Sequence, residues 1–527
     1  MSKSYAGFLA YRIKMDTEDF QVTEISDLPL IRASGRFEAN QKKASNSGEN
    51  SKPSSRTSKS RTEKKGSGKR ERAEPETSKE VRGEQNSRRQ ANSGLNSKTY
   101  PFAVYSLEKD GWNTVDAIQR VAARFRIPAK NIHYGGKKDR HARTIQWITV
   151  KNGPDISHQE SGYTIQHLGA SDSPMGPERI QGNRFRLVVR NILEREIPQI
   201  EAGLIRLKER GFPNYFDDQR FGSFHPLIGF PFLSLFRGDP ESALRYTLLS
   251  AFGGDKPHAK RRKKAINDCW GNWDAALKLA STKTESAILG ELKKARLVSG
   301  DDSDQSKEQF TTLLNRLPKE DLSMSFSAVQ SWIFNESIAR LFRSFSQQTK
   351  RGKGPDQKFT GDFTSVEIKT KTGDQCFPVS FPLPVITLFR STVLELIGPG
   401  RQTGGDDLSS AGTAPEEIIR AFSDFPEKSE ASAETERLLQ RAFLSCETQV
   451  KEILEIPDAA FQKDFLDRAF LKSHRRPLWC LPEEMTWSDF SGDEKNKNKL
   501  KYTVEFSLPR GTYATMAMKM LHLRLKQ

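Results

Sequence analysis

Hydrophobic and polar positions follow two different periods along this chain. Residues 11–25 alternate loosely around Phe20, Val22 and Ile25, which is typical of a loop that leads into a β-strand. Residues 182–190 predict a strand with Phe185, Leu187 and Val189 on one face and Arg184, Arg186, Val188 and Arg190 on the other. The arginine-bearing face suits either water or phosphate groups, and the pattern leaves both interpretations open.

A helical period precedes the most polar turn of the N-terminal part. The apolar face of the helix predicted over residues 113–126 comprises Val115, Ile118, Val121, Ala122 and Phe125. Asn113 is suited to cap the first turn of this helix, and Pro128 is expected to end it. The chain therefore leaves a helix shortly before residues 131–150.

The middle of the chain is mostly helical in pattern, over residues 240–347 and 430–472. The clearest helical repeat, which we interpret as core, comprises Phe326, Val329, Ile333, Phe334, Leu341, Phe342 and Phe345. Loops are predicted at a basic segment (256–264), near an acidic one (301–308) and at a glycine-rich one (398–405). The basic segment is typical of a solvated charge run, with contact to a polyanion as the alternative.

The end of the chain returns to a period of two residues. The apolar positions of this last strand are Tyr502, Val504, Phe506 and Leu508. A final helix is predicted after the turn at 509–511, with Thr512 as its cap and with a buried face formed by Ala514, Ala517, Met518 and Leu521. Strand-rich ends around a helical middle favour an α+β domain that is interrupted by an inserted domain.

Charge points to an anionic partner. The 527 residues carry a formal net charge of +17, which makes nucleic acid the first candidate. More than half of this charge lies in residues 41–98, which hold 16 Lys and Arg against 7 Asp and Glu. Residues 38–98 contain almost no large apolar side chains, so we predict a disordered basic insertion there.

Cysteine usage and hydropathy limit the class of protein. Cys269, Cys376, Cys446 and Cys480 have neither zinc-ligand nor disulfide-framework spacing, so a metal site is not expected and a reducing compartment fits. The N-terminus lacks the apolar run of a signal peptide, and the chain has no apolar stretch of membrane-spanning length. We therefore expect a soluble, cytoplasmic protein.

One acidic side chain stands out in residues 131–150. A short apolar run leads into Gly135 and Gly136, and the turn that follows carries Asp139 among four basic residues, Lys137, Lys138, Arg140 and His141. Nearby positive charge favours an ionised carboxylate, and an ionised carboxylate can act as a nucleophile. The alternative is an ordinary solvated turn, for which Asp beside Gly and Lys is equally suited.

Six segments in this order resemble the TruD family of pseudouridine synthases. They are IKMDTEDFQVTE (13–24), YGGKKDRHARTIQW (134–147), GNRF (182–185), PNYFDDQRFG (213–222), SAVQSWIFN (327–335) and LPRGTYAT (508–515). The resemblance covers both ends of the chain and fades over residues 240–320 and 350–470. It implies an α+β pseudouridine synthase catalytic domain with a central antiparallel sheet, plus an inserted TruD-specific α+β domain.

The resemblance also implies domain boundaries and a reaction. The catalytic domain would comprise residues 1–212 and 481–527, and the inserted domain residues 213–480. The reaction would isomerise uridine to pseudouridine in RNA, with uridine 13 in the D arm of tRNA as the expected target. Other RNA is a further expected substrate class, and the protein is expected to be a monomer that needs no cofactor and no metal.

Roles carry over from the family to individual positions of this chain. Asp139 matches the nucleophilic aspartate, and Lys14 matches a basic residue that would pair with it. The positions that would surround a flipped uracil are Phe20, Asn183, Phe185 and Tyr513. From the sequence pattern alone, a core role is the better interpretation of Phe20. Tyr513 stands where some members have phenylalanine, so its hydroxyl needs a partner.

Two other classes of protein compete with this interpretation. A catalytically silent RNA-binding protein with the same fold could have lost Asp139 and Lys14, but both are present. An RNA methyltransferase is the second rival, and no glycine-rich cofactor loop follows a predicted strand to support it.

Overall fold

The computed structural model describes residues 7–32, 99–225, 228–249, 255–351, 363–381, 383–398, 433–461, 466–467, 471 and 473–525. The insertion predicted at 38–98 lies outside these residues, as does all but the first residue of the glycine-rich segment 398–405. The chain divides into two compact units, one formed by Ile13–Val188 and the other by Met1–Arg12 with Val189–Gln527.

The smaller unit is built on a mixed β-sheet. Its strands are β1 (Phe20–Ser26), β2 (Phe102–Asp110), β3 (Ile132–Tyr134), β4 (Arg143–Lys151), β5 (His158–Glu160), β6 (Tyr163–Ser171) and β7 (Ile180–Ile192), which continues into the larger unit. The strand order is β7-β1-β4-β2-β6-β5, with β3 paired to β4. The β1–β4 pair is parallel and the other pairs of this unit are antiparallel.

Helix α1 (Thr114–Phe125) covers one face of this sheet and confirms the helical period of the sequence. The Asn113 side chain accepts a hydrogen bond from the Val115 amide, as an N-cap residue does. The core cluster shared by helix and sheet includes Tyr105, Leu107, Ala117, Ile118, Val121, Ile148 and Ile165. Packing of this face fixes α1 relative to β2 and β4.

The register between β1 and β7 arranges the side chains that matter for the site. Phe20 lies opposite Leu187, Val22 opposite Phe185, and Glu24 opposite Asn183. Directly opposed residues of an antiparallel pair project from the same face of the sheet. Phe20, Val22 and Glu24 are buried while Ile25 is 39% exposed, so it is Glu24 that continues the buried face.

The larger unit is mainly helical. Its helices are α2 (Ile197–Arg210), α3 (Pro231–Phe236), α4 (Pro240–Leu249), α5 (Pro257–Asp268), α6 (Trp273–Leu279), α7 (Lys283–Lys294), α8 (Asp304–Leu314), α9 (Lys319–Arg351), α10 (Leu383–Ser391), α11 (Ala433–Ile453) and α12 (Ala514–Leu521). The phenylalanine-rich repeat lies on α9 and is buried, which confirms its interpretation as core.

The strands of the larger unit are short except for the last. They are β8 (Phe212–Pro213), β9 (Thr364–Lys369), β10 (Asp374–Ser380), β11 (Val393–Glu395), β12 (Arg475–Pro477), β13 (Trp479–Cys480), β14 (Glu483–Trp487), β15 (Ser491–Gly492) and β16 (Leu500–Pro509). The alternating apolar residues of β16 are buried as predicted. Strands, mostly antiparallel, together with helices confirm the α+β class.

The pairing of β8 with β13 joins two distant parts of the chain. Pro213 lies opposite Trp479, and Phe212 lies opposite Cys480. The predicted domain boundaries, 212/213 and 480/481, fall at this pair of strands. They stay a prediction, because the compact units divide the chain at different positions.

Four local expectations were wrong. The acidic segment near 301–308 is a loop only in its first part, because α8 begins at Asp304 with Ser303 as its cap. The basic segment 256–264 is not a loop but lies in α5, because Pro257 occupies the first turn and Ile266 provides a buried anchor. Thr512 does not cap the last helix: Tyr513 is the cap residue, and the Thr512 hydroxyl donates to the carbonyl of Pro509. Arg190 does not belong to an exposed arginine face, since it is buried.

The described residues include the four cysteines, and all four are free thiols: Cys269, Cys376, Cys446 and Cys480. Within the ranges that the structure describes, none of the helices is both long enough and apolar enough to cross a membrane.

Arg190 is held at the end of β7 by a buried carboxylate. Its Nη1 lies 2.9 Å from Oδ1 of Asp493, whose Oδ2 accepts a hydrogen bond from the Asn191 amide at 3.0 Å. Burial alone would raise the pKa of Asp493, but hydrogen bonds from Asn496, from the backbone amides and from Arg190 lower it to about 2. The ionised form of Asp493 therefore stabilises the fold.

We expect Asp493→Asn to lower the free energy of unfolding by about 2 kcal/mol at neutral pH, because a buried charge loses its partner while exposed Glu494 compensates in part. The folded-state pKa lies below the unfolded value of about 3.9. The stabilisation is therefore complete above that value and is lost as the pH falls toward about 2. Urea denaturation at a series of pH values should show that the difference in the free energy of unfolding between the variant and wild type becomes smaller as the pH falls. The control Asp489→Asn, at an exposed position, should change little, and an equal loss in both variants would contradict the assignment.

Candidate active site

Asp139 lies in the loop between β3 and β4, where its carboxylate is 37% exposed. The ammonium group of Lys14 forms an ion pair and hydrogen bond with Oδ2 of Asp139. The backbone amide of His141 donates to Oδ1 at 3.0 Å. Both carboxylate oxygens are thus held, yet the side chain remains partly exposed.

The charge state of Asp139 follows from these contacts. Burial favours the neutral acid and would raise the pKa of Asp139. The hydrogen bonds from Lys14 and from the His141 amide, together with the positive charge of Lys14, outweigh burial and leave the pKa below its ordinary value. Asp139 is therefore ionised at neutral pH.

The side chains of Lys138 and Arg140, two of the basic neighbours of Asp139, make contacts elsewhere. Lys138 extends toward β1 and β7, and Arg140 Nε donates to the carbonyl of Gly111 at 3.2 Å. His141 contributes through its backbone amide. The cation that pairs with Asp139 comes from 125 residues earlier in the chain, which a reading of the turn alone does not reveal.

A buried lysine holds the peptide that carries Asp139. Lys109, at the end of β2, is fully buried, and its Nζ donates to the backbone carbonyl of Asp139 at 2.7 Å. Burial lowers the pKa of Lys109 to about 8, against the opposing influence of the Asp139 charge. The lysine therefore acts as a fixed donor beneath the loop.

The start of α1 and strand β4 fix the other side of the loop. The Thr114 hydroxyl accepts a hydrogen bond from the Lys138 amide and donates to Oε1 of Gln146, both at 3.0 Å. Gln146 Nε2 donates to the carbonyl of Gly136 at 3.1 Å. Gly135 is needed for close approach, because a Cβ there would lie 2.5 Å from Cδ1 of Ile180.

Lys14 also links Asp139 to two aromatic rings. Its Nζ lies 4.1 Å from the centroid of the Phe20 ring. Phe20 and Phe185 meet edge to face, with centroids 6.2 Å apart. Both rings are largely buried, as expected if Phe20 belongs to the core. A binding role for the two rings stays a prediction from the family resemblance.

Asn183 joins the site through Lys138. The Lys138 ammonium donates to Oδ1 of Asn183 at 2.8 Å and forms an ion pair with Oε2 of Glu24 at 2.7 Å. Oε1 of Glu24 accepts a hydrogen bond from the Trp147 amide at 3.2 Å. Five of the six predicted site residues, Lys14, Phe20, Asp139, Asn183 and Phe185, are therefore connected within the smaller unit.

Tyr513, the sixth predicted site residue, belongs to the larger unit. It is the cap residue of α12, and its ring contacts Phe216 with centroids 6.2 Å apart. The Arg476 guanidinium lies 5.7 Å from the Tyr513 ring and 3.9 Å from the Phe216 ring. The role of Tyr513 toward a substrate stays a prediction.

Sequence reasoning missed Glu24, Lys109, Thr114 and Gln146, which are buried polar residues that hold the site. For two of these residues, the alternation of buried and exposed positions along the strand contains a signal. Glu24 continues the buried phase of Phe20 and Val22, and Lys109 continues that of Tyr105 and Leu107. A charged residue in the buried phase of a strand needs a partner, and here the partners surround Asp139.

Comparison with known proteins shows which family the sequence matches and which fold the structure shares. Residues 59–364 match the family model described as tRNA pseudouridine synthase D (TruD). The chain is 32% identical over 434 residues to the tRNA pseudouridine synthase D of Leptospira interrogans, an alignment that covers 82% of this chain and 92% of that relative. It is 28% identical over 423 residues to "Probable tRNA pseudouridine synthase D 1" of Methanococcus maripaludis, covering 79% and 92%.

The fold is similar to that of the crystal structure assigned as tRNA pseudouridine synthase D (TruD) from Methanosarcina mazei. The TM-score is 0.53 at 17% identity, over 99% of this chain and 96% of that one. That likeness concerns the fold, whereas the sequence matches define the class as pseudouridine synthase. Within that class, the chain belongs to the TruD family, which confirms the resemblance seen in its motifs.

We expect Lys109→Met to slow pseudouridine formation roughly tenfold or more, because the Asp139 peptide loses a charge-assisted hydrogen bond. Stability should hold or rise, since methionine removes a buried charge. Single-turnover tritium release from tRNA labelled at C5 of uracil, together with a thermal melt, measures both. Lys151→Met, at an exposed position at the far end of β4, is the control. A loss of rate that only follows a loss of stability would contradict the positioning role.

Proposed function

We propose that this protein converts uridine 13 in the D arm of tRNA to pseudouridine, with Asp139 as the nucleophile. The observation that carries the proposal is the side chain of Asp139, which is partly exposed and is held ionised by Lys14. The Lys14 ammonium also lies against the Phe20 ring, which in turn meets Phe185. Family membership supports the reaction class. An oriented and ionised carboxylate is the form that a nucleophile requires.

The proposed reaction is an isomerisation. The bond from N1 of uracil to C1′ of ribose breaks, the detached base turns, and a bond forms between C5 and C1′. C5 loses a proton and N1 gains one, so that atoms and electrons balance without a redox partner or a group donor. In this proposal Asp139 supplies the electron pair that opens the sequence of steps by forming a bond to the nucleoside. That bond breaks again before the product leaves, so the carboxylate is regenerated.

A base inside an RNA helix must leave the stack before its glycosidic bond can be reached. We propose that Phe20 and Phe185 form an apolar wall for the flipped uracil and that Asn183 reads its polar edge. The two-strand register supports this grouping, because all three side chains lie on one face of β1 and β7. Tyr513 is proposed as a further aromatic contact to the base.

The proposed partner is tRNA, with other RNA as a second substrate class. The net charge of +17 supports a polyanionic partner. We also propose that residues 213–480 form an inserted domain. The pairing of β8 with β13 supports this proposal, because the two ends of such an insertion would lie side by side.

A silent RNA-binding protein of the same fold is the alternative. It would have no need of an ionised carboxylate, nor of the buried lysine and threonine that hold the loop of Asp139. Burying polar groups lowers the stability of a protein unless they are paired, so a protein without catalysis would gain nothing from keeping this arrangement. The intact Lys14–Asp139 pair therefore favours the enzyme.

We expect Asp139→Asn to abolish pseudouridine formation, with a loss on the order of a thousandfold or more, while RNA affinity is kept. Asparagine preserves the shape of the side chain and removes the nucleophile. Tritium release from uracil-labelled tRNA measures turnover, and filter binding measures affinity. The exposed Asp172→Asn is the matched control. Near-normal release by Asp139→Asn would overturn the proposal.

We expect Lys14→Met to move the acid limb of the rate–pH profile to higher pH. Asp139 must be ionised to react, so activity falls as the pH drops through its pKa. Lys14 lowers that pKa, and its removal therefore raises the pH at which activity is lost. Lys14→Arg should restore the limb, and the exposed Lys130→Met should leave it unchanged. An unshifted limb in Lys14→Met would show that the pair does not control the carboxylate.

A further inference from the structure

A buried ion pair connects the loop of Asp139 to Asn183. The Glu24 side chain is fully buried and that of Lys138 is 11% exposed. Their charged atoms lie 2.7 Å apart, and the same ammonium donates to Oδ1 of Asn183 at 2.8 Å. Removing two charges from water is costly, so a well-formed buried pair calls for a reason beyond stability.

The strands dictate this arrangement. Glu24 and Asn183 are directly opposed on β1 and β7, so their side chains project from the same face. Lys138 reaches both from the loop, where its backbone amide is fixed by Thr114. The Trp147 amide holds the second oxygen of Glu24, which leaves the carboxylate a single orientation toward the ammonium.

Hydrogen-bond chemistry then determines which way the Asn183 amide faces. A lysine ammonium has three donors and no acceptor, so the oxygen of Asn183 must be the atom that faces it. The amide nitrogen, with two donors, is left to point away from Lys138. We propose that the Glu24–Lys138 ion pair fixes the Asn183 amide with its nitrogen toward the base, so that the site selects a base offering a carbonyl acceptor.

This inference rests on the proposed contact between Asn183 and the flipped base. Uracil presents a carbonyl oxygen at C4, whereas cytosine presents an amino group there. An amide nitrogen held in place would donate a hydrogen bond to the C4 carbonyl of uracil. In cytosine it would face the C4 amino group, which is itself a donor. An unconstrained amide can rotate and accept from cytosine equally well, so selectivity at C4 requires the fixed orientation.

Lys138 and Asp139 are adjacent in the sequence, so the proposal couples base reading to the nucleophile. Glu24 and Lys138 are positioning residues, since they act through Asn183. A double-mutant cycle distinguishes this role from general support of the fold. The neutral pair Glu24→Gln with Lys138→Met avoids an unpaired buried charge, and Asn183→Ala removes the amide.

We expect the neutral pair to lower kcat for tRNA on the order of ten- to a hundredfold, with KM and RNA affinity little changed. In the Asn183→Ala background the same pair should have almost no further effect. Lys138→Arg, which keeps a cationic donor, should retain most of the wild-type rate. If the loss of rate in the triple variant equals the product of the losses in the neutral pair and in Asn183→Ala, the inference is overturned. The Glu24–Lys138 pair would then act independently of Asn183.

A second variant tests the direction of the amide itself. Asn183→Asp is isosteric, keeps the contact with Lys138 and replaces the outward donor by an acceptor. We expect it to lose at least as much turnover as Asn183→Ala, with folding verified by circular dichroism. Wild-type turnover in Asn183→Asp would overturn the inference. Wild-type turnover in Asn183→Ala would instead overturn the proposed base contact, so the two failures are distinguishable.

Discussion

The ion pair between Lys14 and Asp139 is the interaction on which the rest of the site depends. It joins two groups 125 residues apart in the chain and requires the N-terminal segment and the β3–β4 loop to meet in one register. The parallel pairing of β1 with β4 provides that register, since it brings Val22 alongside Thr144. Lys14 precedes β1 and Asp139 precedes β4, and two parallel strands begin at the same edge of a sheet, so the two side chains reach the same edge.

Around this pair, the fold buries polar side chains in positions that would normally be apolar. Glu24 and Lys109 occupy the buried phase of their strands, and Thr114 is buried at the first turn of α1. Each is satisfied by a partner in or beside the loop of Asp139. The loop is short and glycine-rich, so its shape is determined from outside by these donors and acceptors rather than by its own packing.

Sequence reasoning predicted the parts of the structure that have a clear period or motif. The helix after Asn113, the buried residues of β16 and the family all follow from such signals. It failed where charge and burial conflict. Arg190 looks like a solvated arginine until Asp493, some 300 positions away, is seen beside it, and the basic run of α5 is helical because of a proline and one buried isoleucine. The buried phase of a strand can signal that a charge needs a partner, as at Glu24 and Lys109, but it does not reveal which distant residue that partner is.

The two-residue pairing of β8 with β13 has a consequence for how the chain can change over evolution. The two strands pair through Phe212–Pro213 and Trp479–Cys480, so the segment of more than 260 residues between them begins and ends at neighbouring points. Because closing a longer loop adds only slowly to the entropic penalty, segments of very different length fit between the same two anchors. The inserted domain proposed above could therefore lengthen or shorten during evolution while β8 and β13 keep their pairing.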